Sequence, residues 1–231
     1  MKCFAFQSDC KNANNITDIQ QFLTTRGDAL RTLILNNSFA YNPDSPLSIS
    51  NLRNLCLSLT TNSVYFLNQL LEGGRKLESL RLEVFSNARV ISRAFRPHSE
   101  PGLFPILREF AFIFLGSDND DDDEGDENLD LFPAVAEVVR GHPMLEALCL
   151  SYGMSSEDAG AFGYTAAIWG VLPSLVHLRT LSLDFPKDLS SALGGWLVPR
   201  TVVALQVRTP QWVSWKIDCA VSMSPYLRHP G

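Results

Sequence analysis

The sequence predicts an α/β solenoid, built from strand–helix units with a parallel sheet on one face. Two observations carry that prediction. The first is a repeated phrase. Leu178-Arg179-Thr180-Leu181-Ser182-Leu183 reads Leu-x-x-Leu-x-Leu. The same pattern recurs at Leu30/Leu33/Leu35, Leu52/Leu55/Leu57, Leu77/Leu80/Leu82, Leu107/Phe110/Phe112, Leu145/Leu148/Leu150 and Val202/Leu205/Val207, and Met1, Phe4 and Phe6 also fit it. Copies lie roughly 22–38 residues apart, a range that overlaps and exceeds the usual leucine-rich one. The second is the apolar spacing. Side chains alternate across a strand, so the second and third apolar positions of each phrase face one way, while the first anchors the chain just before the strand. One such unit buries too little to stand alone, and stacked units share a continuous core. The expected organisation is about eight units over residues 1–209, with a basic irregular insertion over 86–102, an acidic disordered loop over 117–128 and a C-terminal tail over 210–231.

In chain order, Met1 to Gln7 reads as a strand already inside the repeat pattern. A solenoid end is normally capped by polar structure, so the sequence reads as starting within a larger architecture, or with its cap lost or supplied by a partner. Thr17-Asp18 can cap a short helix to about Thr25 that places Ile19, Phe22 and Leu23 on one face. After the strand Leu30 to Leu35, Asn42-Pro43 and Ser45-Pro46 signal a loop. Thr61-Asn62-Ser63 caps a helix carrying Val64, Phe66, Leu67, Leu70 and Leu71, which stops at Gly73-Gly74 before the strand Leu77 to Val84. Pro105 precedes Leu107, and Pro143 precedes Leu145, each by two residues, and both prolines reset the chain for a strand. Phe110 to Phe114 is apolar on both faces. Leu131 to Arg140 reads as a helix with Val135, Val138 and Val139 inward and Gly141 past its end. Ala166 to Leu172 reads as another helix, and Leu189 to Leu197 as a third, weakened by Gly194-Gly195.

Composition bounds the function. Hydrophobic content of 45% and charged content of 19% are ordinary for a soluble globular chain. The net charge of −6 is concentrated: Asp118, Asp120 to Glu124, Asp126 and Glu127 supply eight of 25 acids, leaving 17 against 19 bases. The folded body is therefore near neutral, which gives no footprint for nucleic acid. Cys3, Cys10, Cys56, Cys149 and Cys219 are odd in number, contain no Cys-x-x-Cys pair and follow no secretion signal. They predict free thiols in a reducing cytoplasmic or nuclear compartment. The sequons at Asn15 and Asn36 are then chance matches. Ala159 to Val176 carries no charge, but Gly160, Gly163, Gly170 and Pro173 interrupt it, so it reads as a buried repeat helix with its loops and not as a membrane span.

Chemistry finds little purchase. Aligning Gly125 with the turn glycine of an EF-hand loop puts Asp120, Asp122 and Glu124 at ligand positions. The twelfth position, which must be a bidentate glutamate, is Leu131. No nucleophile elbow is present, and Gly73-Gly74-Arg75-Lys76 lacks the spacing and hydroxyl of a phosphate loop. None of His98, His142, His177 and His229 has a neighbour at metal-ligand spacing. His142 sits at a helix end, where it can cap or answer the dipole. No catalytic, cofactor-binding or metal residue is assigned. A hydrolase or metal enzyme would need His142 or His177 open beside a carboxylate.

What remains is the strand face pointing away from the core, the concave side of a solenoid and its usual binding surface. The candidates are Cys56, Arg81, Glu83, Glu109, Cys149, Ser151, Thr180, Ser182, Asp184, Gln206 and Arg208. Small and polar groups mix there with charges of both signs, which favours a protein partner over a nucleic acid. No cofactor is expected, and the chain is expected to be a monomer.

Two strand openings, Leu103-Phe104-Pro105-Ile106-Leu107-Arg108-Glu109 and Gly141-His142-Pro143-Met144-Leu145-Glu146-Ala147-Leu148, resemble the irregular leucine-rich region of fungal F-box proteins. The resemblance covers roughly residues 1–210 as a repeat pattern. It implies a substrate receptor of an SCF-type ubiquitin ligase, whose repeats hold the substrate and whose N-terminal F-box binds the ligase adaptor. An adaptor contact then requires an F-box upstream, since none precedes the first phrase and Leu172-Pro173 runs directly into a repeat. The family's asparagine is replaced by Asp9, Ser38, Thr60, Phe85, Leu115, Gly153, Pro186 and Pro210, which argues against a regular horseshoe curve. The competing reading is a free-standing scaffold or inhibitor with no ligase link.

Overall fold

The computed structural model describes residues 3–7, 21–36, 49–60, 67, 74–85, 88–95, 104–115, 130–153, 159–184 and 197–208. Its strands are β1 (Cys3–Gln7), β2 (Thr32–Asn36), β3 (Asn54–Thr60), β4 (Ser79–Phe85), β5 (Glu109–Phe114), β6 (Ala147–Tyr152), β7 (Thr180–Asp184) and β8 (Ala204–Arg208). All eight form one sheet in chain order, and every neighbouring pair is parallel. The fold is α/β, as the sequence predicts.

The phrases pair without a slip. Leu33, Leu55, Leu80, Phe110, Leu148, Leu181 and Leu205 stand in one register row, and Leu35, Leu57, Leu82, Phe112, Leu150, Leu183 and Val207 in another. From β2 to β7 every one of these side chains is buried. A slip of one residue would turn each apolar set to the other face, so burial fixes the register. Unequal spacing between phrases is absorbed entirely between strands.

Each described unit from β2 onward opens on the same four-residue turn. The N–H of the first apolar residue bonds the carbonyl three residues back, in the pairs Leu30–Gly27, Leu52–Ile49, Leu77–Gly74, Leu107–Phe104, Leu145–His142, Leu178–Leu175 and Val202–Pro199. Pro105 and Pro143 fall at the second turn position, where the fixed φ of proline suits the bend. The carbonyl of the residue after each anchor then accepts two N–H groups from the next unit. Arg31 receives Arg53 and Asn54, and Arg53 receives Glu78 and Ser79. Glu78 receives Arg108 and Glu109, and Arg108 receives Glu146 and Ala147. Glu146 receives Arg179 and Thr180, and Arg179 receives Val203 and Ala204. This backbone ladder needs no particular side chain. It joins the units at the edge of the sheet where the strands begin.

Helices cover the apolar face of the sheet. Residues 21–26 are helical, followed by α1 (Ala88–Phe95), α2 (Leu131–Arg140) and α3 (Ala166–Trp169). α1 corrects one expectation, because it lies inside the stretch 86–102 that reads as irregular. Ile91, Ala94 and Phe95 are buried at i, i+3 and i+4, while Arg89 and Arg93 face solvent, and α1 packs against α2. That is the ordinary amphipathic pattern, which the flanking arginines obscure. α2 matches its expected bounds. It carries Pro133 in the first turn, where no intrahelical N–H bond is lost.

The expected helix from Ala166 to Leu172 is shorter. α3 stops before Gly170, and Leu172–Ser174 forms a separate 3-10 turn around Pro173. Gly163 has φ of 74°, a backbone region in which glycine is unstrained. Among the described residues no helix is long and apolar enough to cross a membrane. The helices expected over 61–72 and 189–197, apart from Leu67 and Leu197, lie outside the described residues. So do the acidic run and the C-terminal tail.

Candidate functional site: the outward strand face

Alternation that buries the leucines turns the intervening residues to the opposite side of the sheet. Three register rows result. Asn54, Ser79, Glu109, Ala147, Thr180 and Ala204 form the first, and Ile34, Cys56, Arg81, Ala111, Cys149, Ser182 and Gln206 the second. The third contains Ser58, Glu83, Ile113 and Ser151, with Asp184 paired to Arg208. All eleven candidates therefore occupy one face. Glu109, Thr180 and Gln206 are exposed, while Cys56, Arg81, Glu83, Cys149 and Ser182 are half-buried. Arg208 is placed by its backbone pairing alone.

The charged centre is Arg81 on β4. Its Nε and Nη2 donate to Glu83 Oε1 at 3.0 and 2.9 Å, and Ser58 Oγ approaches Glu83 Oε2 at 3.4 Å. Partial burial works against the Arg81 charge. The Glu83 hydrogen bond and carboxylate, and then the nearby Cys56 and Cys149 sulfurs, outweigh it and hold the guanidinium pKa above its ordinary value. The ion pair is thus fixed in orientation, with the Arg81 side chain 35% exposed on the middle of the face. Beside it, Ala111, Ala147, Cys149 and Ser182 form a floor of small residues across β5 to β7. Cys56 and Cys149 stand three strands apart, about 14 Å by sheet geometry. That separation is far beyond disulfide reach.

Two candidates are corrected. Ser151 is 9% and Asp184 6% exposed, and both are engaged in holding the fold. Asp184 Oδ2 accepts Ser151 Oγ–H at 2.8 Å and the Tyr152 N–H at 2.5 Å, while Tyr164 Oη donates to the Asp184 carbonyl at 2.5 Å. Burial, then the Asp184 charge, push the Tyr164 hydroxyl pKa well above its usual range, so it stays a donor. Neither Ser151 nor Asp184 is available to a partner. The signal that could have flagged them is Tyr164, a polar side chain arriving from the segment between β6 and β7.

His142 is likewise a fold residue. It is 4% exposed at the first position of its turn, where other units place Ile49, Phe104 and Leu175. Its Nδ1 bonds the Val138 carbonyl at 2.6 Å, which is the capping role foreseen for it, and Nε2 accepts the Phe104 N–H at 3.4 Å. This pattern requires the neutral ring with its proton on Nδ1. Burial lowers the His142 pKa below 6.5, and the Val138 bond only partly opposes it. The unfolded chain therefore binds the extra proton first as pH falls. The His142 contribution to stability is complete above about pH 6.5 and is lost progressively below it. Urea midpoints taken from pH 7.5 to 5 should fall more steeply for the parent than for His142→Leu. Parallel curves would contradict this assignment.

Among the described residues, no cluster of three or more His, Cys, Asp or Glu could hold a metal ion. No protein-family model matches the chain, and no curated protein matches it either.

Proposed function

We propose that the chain is a leucine-rich-repeat solenoid of irregular type, acting as a non-catalytic protein-binding module through its outward strand face. The observation that carries this reading is the continuous, in-register face from β3 to β8, with the oriented Arg81–Glu83 pair beside a floor of small side chains. Such a face offers complementarity in shape and charge without a reactive group. The role favoured is that of the substrate-recognition region of an F-box-type receptor. That assignment rests on the resemblance of residues 103–109 and 141–148, within which residues 104–109 and 142–148 are the turn and strand start of two successive units. A scaffold or inhibitor without a ligase would use the same face.

A photo-crosslinking residue at Thr180 tests the reading, with one at Glu137 on the helix side as control. In the native host, the Thr180 probe on the full chain should capture a discrete partner that the Glu137 probe does not. Glu109→Lys and Arg81→Gln should each lower capture at least fivefold. Equal capture from both sides, or indifference to both substitutions, would overturn the proposal.

A further inference from the structure

The turns that open the units differ along the chain in a way the strand face does not explain. In the early units Asp28, Ser50, Asn51 and Lys76 at central turn positions are polar and bonded to one another. Ser50 Oγ donates to Asp28 Oδ1 at 2.8 Å, Asn51 Nδ2 to the Asp28 carbonyl at 3.0 Å, and Lys76 Nζ to Asn51 Oδ1 at 2.7 Å. In the next three units the same turn carries Ile106, Met144 and Val176, exposed by 42, 52 and 59%. Ile106 and Met144 hold the third turn position in adjacent units, about one strand spacing apart; in the next turn that position is the exposed His177, and the aliphatic side chain is Val176, one residue earlier. The strip then runs into an open groove of about 250 Å³ between Pro173, Val176, Leu197 and Arg200. Three successive aliphatic turn residues are not a scatter of single exposed side chains, which would need no explanation.

Charge beside the strip gives the partner's chemistry. Arg108 and Glu146 pair at 2.9 Å and cancel. Arg200 lines the groove, and Arg179, three residues after Val176 in the chain, is exposed; neither has an ion pair among the described residues. The rim therefore presents one exposed aliphatic side chain in each of three successive turns and is cationic at its β8 end. The geometry points to a second docking site, separate from the outward strand face. It would take a partner segment whose aliphatic side chains lie over Ile106, Met144 and Val176 and whose acidic end meets Arg179 and Arg200.

Fluorescence anisotropy on the full chain tests it with three labelled 12-residue peptides: a leucine-rich core ending in three glutamates, the same core ending in three lysines, and a serine core ending in three glutamates. The first should bind at least tenfold more tightly than either control. Met144→Glu and Ile106→Ser should each weaken it at least tenfold at an unchanged melting temperature. Arg200→Glu should invert the preference toward the lysine-ended peptide, and Arg81→Gln should leave binding as in the parent, which separates this site from the strand face. Three peptides binding alike, no binding at millimolar concentration, or Met144→Glu acting only by dissolving a dimer in sedimentation would each overturn the inference.

Discussion

Phe132→Ala is expected to lower unfolding free energy by about 3–5 kcal/mol, the usual cost of removing a fully buried phenyl ring. Phe132 is 0% exposed at the start of α2. Its ring meets Phe112 edge-on with centroids 5.7 Å apart, Tyr164 at 4.5 Å and Tyr152 at 6.0 Å. Those neighbours come from β5, β6 and the segment that leads to β7, so one side chain joins three successive units to the helix layer. Successive strand units in this parallel sheet are stabilised by their neighbours, and a cavity at this junction weakens the interfaces on both sides of it. A urea titration followed by circular dichroism reads the effect as a lower midpoint. Phe132→Leu keeps most of the volume and should recover more than half of the loss. A midpoint shift equivalent to less than about 1 kcal/mol for the alanine variant would show that the neighbouring rings close the space, and that the junction is less interlocked than the contacts imply.

The strands were legible because their signal is local. Two apolar residues at period two, preceded by an anchor three positions earlier, place Leu80 and Leu82 in the core whatever lies between units. Pairing in register follows once every unit has the same phrase. α1 was harder to read because its buried apolar residues Ile91, Ala94 and Phe95 are enclosed by arginines whose charge dominates the window. The unit-to-unit ladder was invisible for a different reason. It consists of backbone carbonyls such as those of Arg31, Glu78 and Glu146 receiving paired N–H groups, and no residue type encodes it. At the opposite, strand-end edge the same holds: the Leu115 N–H bonds the Val84 carbonyl and the Gly153 N–H the Phe114 carbonyl, again without a particular side chain. At Gly153 the strand exits come close: a Cβ there would lie 2.6 Å from Leu115 Cδ2.

For the candidate site, alternation alone placed Arg81, Cys149, Ser182 and Gln206 in one row. It could not tell which outward residues are solvent-facing, because that depends on what arrives over the far ends of β6 and β7. The apolar turn strip was written in the sequence as Pro105-Ile106-Leu107, Pro143-Met144-Leu145 and Val176-His177-Leu178. It becomes meaningful once the turns are known to be equivalent, since only then do Ile106 and Met144 become neighbours.

Asp184→Ala should cost about 3–5 kcal/mol, comparable to the loss at Phe132 but by a different route, since it leaves buried donors without the charged acceptor they bond. In the parent, one carboxylate oxygen receives the Ser151 hydroxyl and the Tyr152 N–H, so Asp184 closes the end of β6 in place of a strand carbonyl. Asp184→Asn keeps an acceptor oxygen at that position and should retain roughly half of the stabilisation, because hydrogen bonds to charged groups are about twice as strong as neutral ones. Ser151→Ala in the Asp184→Ala background should cost less than it does alone, since the bond it removes is already gone. Tyr164 supplies an independent check. Its pKa is raised in the folded chain, so the unfolded chain loses the proton first, and stability should decline as pH rises above 10. Tyr164→Phe should flatten that alkaline slope, whereas Asp184→Ala should lower stability at every pH. If Asp184→Ala moved the urea midpoint by less than about 0.5 kcal/mol, the range of ordinary surface substitutions, the buried network would not be what holds β6 to β7. Asp184 would then return to the outward face as a residue able to meet a partner.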